Sequence, residues 1–155
     1  AWATVVAVGF CGATITALTW RDAPAYADAL PHGTASALLA QAPGTRGTPR
    51  VFCEDFAWCS LFLGRPVRFF MDGRCDPYPA PLWREYREVI DGNARWAAIL
   101  DRERVDAVLV RRDGALDSLL AERRGGWRRV ASDRVSALYV RPARVGARTV
   151  AEARP

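Results

Sequence analysis

The hydrophobic pattern is most unusual at the start of the chain, where residues 1–20 (AWATVVAVGFCGATITALTW) contain no charged side chain. As a helix, twenty residues span about 30 Å, the thickness of a bilayer's hydrocarbon core. Trp2 and Trp20 stand at its ends, where membrane helices carry interfacial aromatic residues. We therefore predict a transmembrane helix and, because no Met precedes Ala1, the last span of a longer protein. A signal sequence and a buried helix of a soluble protein are the alternatives.

The spacing of apolar residues divides the rest of the chain into three parts. Residues 21–49 are predicted to be a polar linker with one short helix, capped by Thr34. Residues 50–141 alternate short apolar runs with helical periodicity, which predicts an α/β domain. The predicted strands of its first part are 51–53, 67–71 and 107–110, and the predicted helices are 56–63, 82–90, 94–103 and 115–122. Residues 142–155 lack apolar periodicity and are predicted to be a flexible tail.

Strands separated by helices of this length predict right-handed βαβ units and a mainly parallel sheet with helices on both faces. The final run, WRRVASDRVSALYVRP, contains two strand patterns joined by a turn at Ser132-Asp133, which predicts an antiparallel hairpin. The expected fold class is α/β: an N-terminal transmembrane helix, then a small three-layer sheet, mainly parallel, with a C-terminal antiparallel hairpin.

The charge of the chain changes this picture in two ways. The formal net charge is +5 and all 22 basic residues are Arg, but they are spread over turns and element ends, so we do not expect nucleic acid as a partner. Next to residues 1–20, Arg21 is offset by Asp22 and Asp28, and no further Arg occurs before Arg46. This nearly neutral flank favours an extracytoplasmic location for the domain, beside the lipid bilayer.

The candidate chemistry is sparse. Nucleotide-binding glycine motifs are missing, and Cys53, Cys59 and Cys75 lack zinc-site spacing, so we predict neither metal nor cofactor. The only histidine, His32, falls in the linker, and no catalytic residue is predicted. In an oxidising compartment Cys75 would bridge to Cys59 or to Cys53; otherwise all three remain free thiols.

Polar side chains gather after the first two predicted strands, at the edge where open α/β sheets bind ligands. These candidate ligand-binding residues are Glu54, Asp55, Asp72, Arg74, Asp76 and Tyr78. The alternative interpretation is structural: N-caps, turns and an Asp–Arg pair that holds a proline-rich loop.

One resemblance extends over about residues 30–141. Its motifs are a VF strand, an aromatic helix, a strand ending in DGR with Asp and Tyr soon after, a Tyr…Gly…Trp…Leu helix, a VDxVLV strand and a terminal hairpin. The matching residues are Val51, Phe52, Trp58, Asp72, Gly73, Arg74, Asp76, Tyr78, Tyr86, Gly92, Trp96, Leu100, Val105, Asp106, Val108, Leu109, Val110, Trp127, Asp133 and Val140. This pattern resembles the C-terminal extracytoplasmic region of bacterial polytopic membrane glycosyltransferases of the GT-C type, the dolichyl-phosphate-mannose-protein mannosyltransferase-like enzymes and their relatives. The chain departs from it at Cys59-Ser60, where the pattern has two glycines.

The resemblance implies a non-catalytic extracytoplasmic domain of an inner-membrane glycosyltransferase that uses a polyprenyl-phosphate-linked sugar. The catalytic acidic residues would lie upstream of residue 1, and the domain would position the donor or the acceptor. Its implied partners are the bilayer, upstream transmembrane helices of the same protein, and the lipid-linked sugar or the acceptor. A membrane-anchored ligand-binding or interaction domain without enzymatic activity is the alternative.

Overall fold

The structure is a computed structural model that describes residues 28–41, 48–74, 77–122 and 126–141. The predicted transmembrane helix and the predicted tail lie outside these ranges. Within them, none of the helices combines the length and the apolar character needed to cross a bilayer.

The described elements follow the predicted alternation of strands and helices. The strands are β1 (Arg50–Cys53), β2 (Arg68–Phe69), β3 (Ala107–Arg111), β4 (Arg128–Ser132) and β5 (Ser136–Val140). The α-helices are α1 (His32–Gln41), α2 (Ala80–Ile90), α3 (Trp96–Arg102) and α4 (Ala115–Ala121), and Phe56–Phe62 is a 3₁₀ helix. Asp55 caps the 3₁₀ helix, its side chain accepting a hydrogen bond from the Ala57 amide. Periodicity over seven residues does not distinguish 3₁₀ from α geometry.

The five strands form one mixed sheet in the order β2-β1-β3-β5-β4. β1 pairs in parallel with β2 and with β3, whereas β5 pairs antiparallel with both β3 and β4. The α/β class and the terminal hairpin are confirmed. The expectation of a mainly parallel sheet is wrong, because the hairpin joins through β5 and adds a second antiparallel pairing, to β3.

Helices cover both faces of this sheet. Phe52, Val108 and Tyr139 are aligned on one face and belong to the core formed with α2, α3 and α4. Their neighbours Cys53, Leu109 and Leu138 point to the other face, where they are buried on the side of the 3₁₀ helix and α1. Because β3 is buried on both faces of the sheet, its sequence is a continuous apolar run.

The short helix predicted within residues 21–49 packs on the β4–β5 hairpin as α1; it begins at His32, so Thr34 lies in its first turn and is not its cap. The amide of Thr34 donates a hydrogen bond to Asp133 Oδ2 (3.1 Å), and the hydroxyls of Thr34 and Ser136 are 2.6 Å apart. Thr34 and Ser136 are fully buried. Polar contacts 99 and 102 residues apart in sequence therefore join α1 to the hairpin.

The disulfide differs from both sequence interpretations. Cys53 and Cys59 are bonded, with a Cα–Cα distance of 6.0 Å. The chain turns back after β1, so the 3₁₀ helix lies against the strand from which it emerges. Pairing with Cys75 and free thiols at Cys53 and Cys59 are therefore both wrong; Cys75 itself lies outside the described residues.

Candidate functional site

The candidate site lies where β1 and β3 end side by side. The chain leaves β1 into the 3₁₀ helix on one face of the sheet and, after β3, enters α4 on the other. Strands whose continuations diverge in this way leave a crevice at their carboxyl ends, which is the usual ligand position in open α/β sheets. β1 and β3 thus bring residues 54–56 next to Arg111.

A groove of about 380 Å³ opens at this point. Its sheet side is formed by residues 54–56 and Arg111, and its helix side by Trp83, Arg84, Tyr86, Arg87 and Ile90 of α2. Residues three and four apart share a helix face, so α2 presents one stripe to the groove. The volume is within the range of small-molecule sites.

Glu54 is held at the sheet edge of the groove. Its Oε2 accepts a hydrogen bond from the Arg111 amide at 2.7 Å, and its own amide donates to the carbonyl of Leu109. Burial raises the pKa of this carboxyl and outweighs the opposing hydrogen bond from Arg111. A Cβ on Gly114 would lie 3.5 Å from Glu54 Oε1, so the turn after β3 passes close to the carboxylate.

Asp55 and Arg111 form an ion pair across the same two strands. Arg111 Nη2 lies 2.9 Å from Asp55 Oδ2, and the guanidinium carbon stands 6.0 Å from the ring centre of Trp58. Asp55 is thus engaged at both oxygens, since Oδ1 caps the 3₁₀ helix. The pair fixes the relative position of the two strand ends.

Three aromatic rings pack behind the groove. Phe56 and Trp83 meet edge to face with ring centres 5.7 Å apart, and Trp83 and Tyr86 meet similarly at 6.1 Å. The Tyr86 hydroxyl donates a hydrogen bond to the carbonyl of Glu54. Burial raises the pKa of Tyr86, and Asp55 adds to the shift. Trp83 and Phe56 are half-buried against the core and line the groove.

Arg84 and Arg87 are exposed on α2, and within the described ranges neither lies within ion-pair distance of a carboxylate. Sequence reasoning did not select either of them, nor Trp83 or Arg111. The available signal was the spacing of Trp83, Arg87 and Ile90 along one helix face. The strand ends that this face of α2 contacts depend on the order of the strands in the sheet, so the spacing alone does not identify the groove.

The predicted set separates into two places. Glu54 and Asp55 line the groove, whereas Asp72, Arg74 and Tyr78 do not. Asp72 is buried and accepts from the Arg74 side chain (2.7 Å to Nη2) and the Arg74 amide (3.1 Å). Its own amide donates to the Tyr78 hydroxyl (3.2 Å). These contacts among Asp72, Arg74 and Tyr78, called the clasp below, hold the loop after β2. The sixth predicted residue, Asp76, lies outside the described residues.

The electrostatics of the clasp are dominated by Arg74. The guanidinium hydrogen bond from Arg74 lowers the pKa of Asp72 to about 2, against the opposing effect of burial. The clasp also approaches the 3₁₀ helix, because a Cβ on Gly73 would lie 2.9 Å from Ser60 Oγ. This close approach involves Ser60, one of the two residues, Cys59 and Ser60, at which the chain differs from the two glycines of the pattern that it resembles.

Among the described residues, no three His, Cys, Asp or Glu side chains are grouped to hold a metal ion. His32 begins α1, the helix that packs on the β4–β5 hairpin, and is not among the groove residues. The groove therefore offers carboxylates, guanidinium groups and ring faces: groups that bind hydroxyls, anions and apolar surfaces.

Comparison of the chain with protein-family models, with curated proteins and with solved structures finds no match.

Proposed function

We propose that the chain is a non-catalytic extracytoplasmic domain of an integral membrane glycosyltransferase that uses a polyprenyl-phosphate-linked sugar. In this proposal the domain positions the donor or the acceptor, and another part of the same membrane protein supplies catalysis. The observation that carries the proposal is the groove between the ends of β1 and β3 and helix α2. Its volume of about 380 Å³ and its carboxylate, guanidinium and aromatic lining support a binding role.

The state of the acidic groups supports a binding role over a catalytic one. Asp55 is committed to Arg111 and to the cap of the 3₁₀ helix, and Glu54 is anchored by the Arg111 amide. A general base needs free reach to the proton that it removes, and a nucleophile needs such a base beside it. Neither arrangement is present among the described groove residues.

The disulfide supports the location. Cys53 ends β1 and Cys59 lies in the following helix, so the bond reinforces the sheet edge that carries Glu54 and Asp55. Disulfides persist in oxidising compartments such as the periplasm and are rare in the cytosol. This agrees with the nearly neutral segment that follows residues 1–20.

The test uses the complete gene product in its own membrane. Alkaline phosphatase fused after residue 141 is expected to be active, since that enzyme folds only in an oxidising compartment. Membranes from cells without the gene are expected to lose a sugar transfer that depends on polyprenyl phosphate, and the complete gene is expected to restore it. The isolated 155-residue chain is expected to show no transfer.

An inactive phosphatase fusion would overturn the location. An active fusion with unchanged transfer in the deletion strain would instead support the alternative, a membrane-anchored binding or interaction domain, which the same groove also fits.

A further inference from the structure

The groove brings together three kinds of group that can each contact a ligand. Glu54 supplies a carboxylate at the sheet edge, Trp83 and Phe56 supply half-buried aromatic rings, and Arg84 and Arg87 supply guanidinium groups on α2. Arg111 is excluded from this set, because its guanidinium already pairs with Asp55. The ligand-facing charges are therefore one carboxylate and two cations.

The two arginines point to an anionic group. Arg84 and Arg87 are three residues apart on α2, so they lie on neighbouring positions of one helix face. A guanidinium fork matches the oxygens of a phosphate, and two of them hold one such group more firmly than a single cation does. No ion pair within the described ranges competes for either side chain.

Glu54 excludes a bare anion as the best ligand. Its carboxylate only accepts hydrogen bonds when ionised, and it repels a second negative charge. A ligand that fills the groove must therefore present hydroxyl donors towards Glu54 and an anion towards Arg84 and Arg87. The ring of Trp83, next to Arg84 on α2, lines the same groove and can pack against an apolar face of a ligand.

We propose that the groove binds a sugar phosphate, with the phosphate held by Arg84 and Arg87, the sugar hydroxyls by Glu54 and the sugar face by Trp83. This inference rests on the proposed function, because it names the ligand class of the domain's binding site. A free sugar phosphate and the headgroup of a lipid-linked sugar share this chemistry.

The first experiment titrates the 155-residue chain, held in phosphatidylcholine nanodiscs, with glucose 1-phosphate, inorganic phosphate and glucose by calorimetry. Glucose 1-phosphate is expected to bind most tightly. The Arg84→Gln/Arg87→Gln variant is expected to lose roughly 10- to 100-fold in affinity, as removal of charge-assisted hydrogen bonds implies. Glu54→Gln is expected to strengthen the binding of inorganic phosphate, since it removes the repelling charge.

The matched control is Arg65→Gln/Arg68→Gln, which removes two exposed positive charges outside the groove. It is expected to leave the affinity for glucose 1-phosphate unchanged. Equal losses in both double variants would show general charge attraction and overturn the proposal. So would absent binding by the unmodified chain, or equal affinities for phosphate and glucose 1-phosphate. Thermal melting checks that the variants are folded.

A second arm distinguishes the two sources of ligand. The chain is reconstituted into phosphatidylcholine vesicles with or without undecaprenyl-phosphate-linked glucose, and glucose 1-phosphate is titrated into each. Competition by the lipid assigns the groove to a headgroup, and its absence assigns the groove to a soluble sugar phosphate. If the chain does not bind glucose 1-phosphate but cells without the gene still lose sugar transfer, this inference alone is overturned. If the chain binds glucose 1-phosphate but cells without the gene keep sugar transfer, the proposed function alone is overturned.

Discussion

The amide of Arg111 donates a 2.7 Å hydrogen bond to Glu54 Oε2, across 57 residues of sequence. The bond joins the last residue of β3 to the first residue after β1, and the Asp55–Arg111 ion pair lies beside it. The two strand ends are therefore locked together, and the groove above them has a fixed carboxylate at one side. A preorganised group of this kind costs less ordering when a ligand binds.

Glu54 is expected to make stability depend on pH with the opposite sign to an ordinary paired acid. Its pKa in the fold is raised above 4.5 by burial, so the folded protein binds more protons than the unfolded chain just above that pH. Stability from this group is present at low pH and is lost as the pH rises through the raised pKa. Urea unfolding from pH 4 upward should show this component in the native chain and its loss in Glu54→Gln. A difference between the two that stays constant with pH would contradict the prediction.

Asp72 is expected to show the complementary behaviour. Its pKa is lowered from 3.8 to about 2 by the Arg74 hydrogen bonds, so its stabilisation is present above pH 3.8 and is lost as the pH falls through about 2. Asp72→Asn should therefore be less stable at neutral pH, and its deficit should shrink in acid. Unfolding curves for Asp91→Asn, at an exposed helix end, provide the control and should match the native chain. A deficit that persists unchanged at pH 2 would refute the assignment.

Reduction of the Cys53–Cys59 bond is expected to lower the free energy of unfolding by about 2 kcal/mol, the loop-entropy value for so short a closure. Chemical denaturation with and without dithiothreitol measures the change. Cys53→Ala/Cys59→Ala should be insensitive to the reductant, which separates this bond from any effect on Cys11 or Cys75. If the double variant responds like the native chain, the stabilising bond lies elsewhere.

Gly92 is expected to tolerate alanine less well than Gly64 does. Both have positive φ (63° and 76°), which costs an L-residue about 1 kcal/mol, but only at Gly92 would the new Cβ meet Leu119 Cδ1, at 2.5 Å. Gly92→Ala should lose roughly 2 kcal/mol and Gly64→Ala about 1 kcal/mol. In a Leu119→Ala background the cost at Gly92 should fall towards that at Gly64. Equal costs at both glycines would exclude the Leu119 contact as a cause.

Thr34→Val is expected to weaken the attachment of α1 to the hairpin. The substitution keeps the shape but removes the hydroxyl that meets Asp133 and Ser136, so buried polar groups lose a partner at about 1–3 kcal/mol. Ser36→Ala, on the exposed side of the same helix, should change stability by less than about 0.5 kcal/mol. Hydrogen exchange of the α1 amides should accelerate in Thr34→Val alone. Unchanged exchange would mean that apolar packing of Leu38 suffices.

The sequence by itself determined the order of the strands and helices, because apolar periodicity and turn residues act over a few neighbouring positions; it did not distinguish the 3₁₀ helix Phe56–Phe62 from an α-helix. The apolar run of β3 and the turn between β4 and β5 are local signals of this kind. The Asp72–Arg74 pair was also accessible, since only Gly73 separates its partners in sequence.

Only the tertiary structure decided which elements meet. The partner of Cys53, the position of β5 beside β3 and the approach of α2 to the end of β1 are contacts between distant segments. Several pairings satisfy the same local pattern, and the one adopted is the one that buries Phe52, Val108 and Tyr139 together. That choice places Arg111 against Glu54. Across the groove from these two residues lie Trp83, Arg84 and Arg87, so the groove follows from the packing of the core.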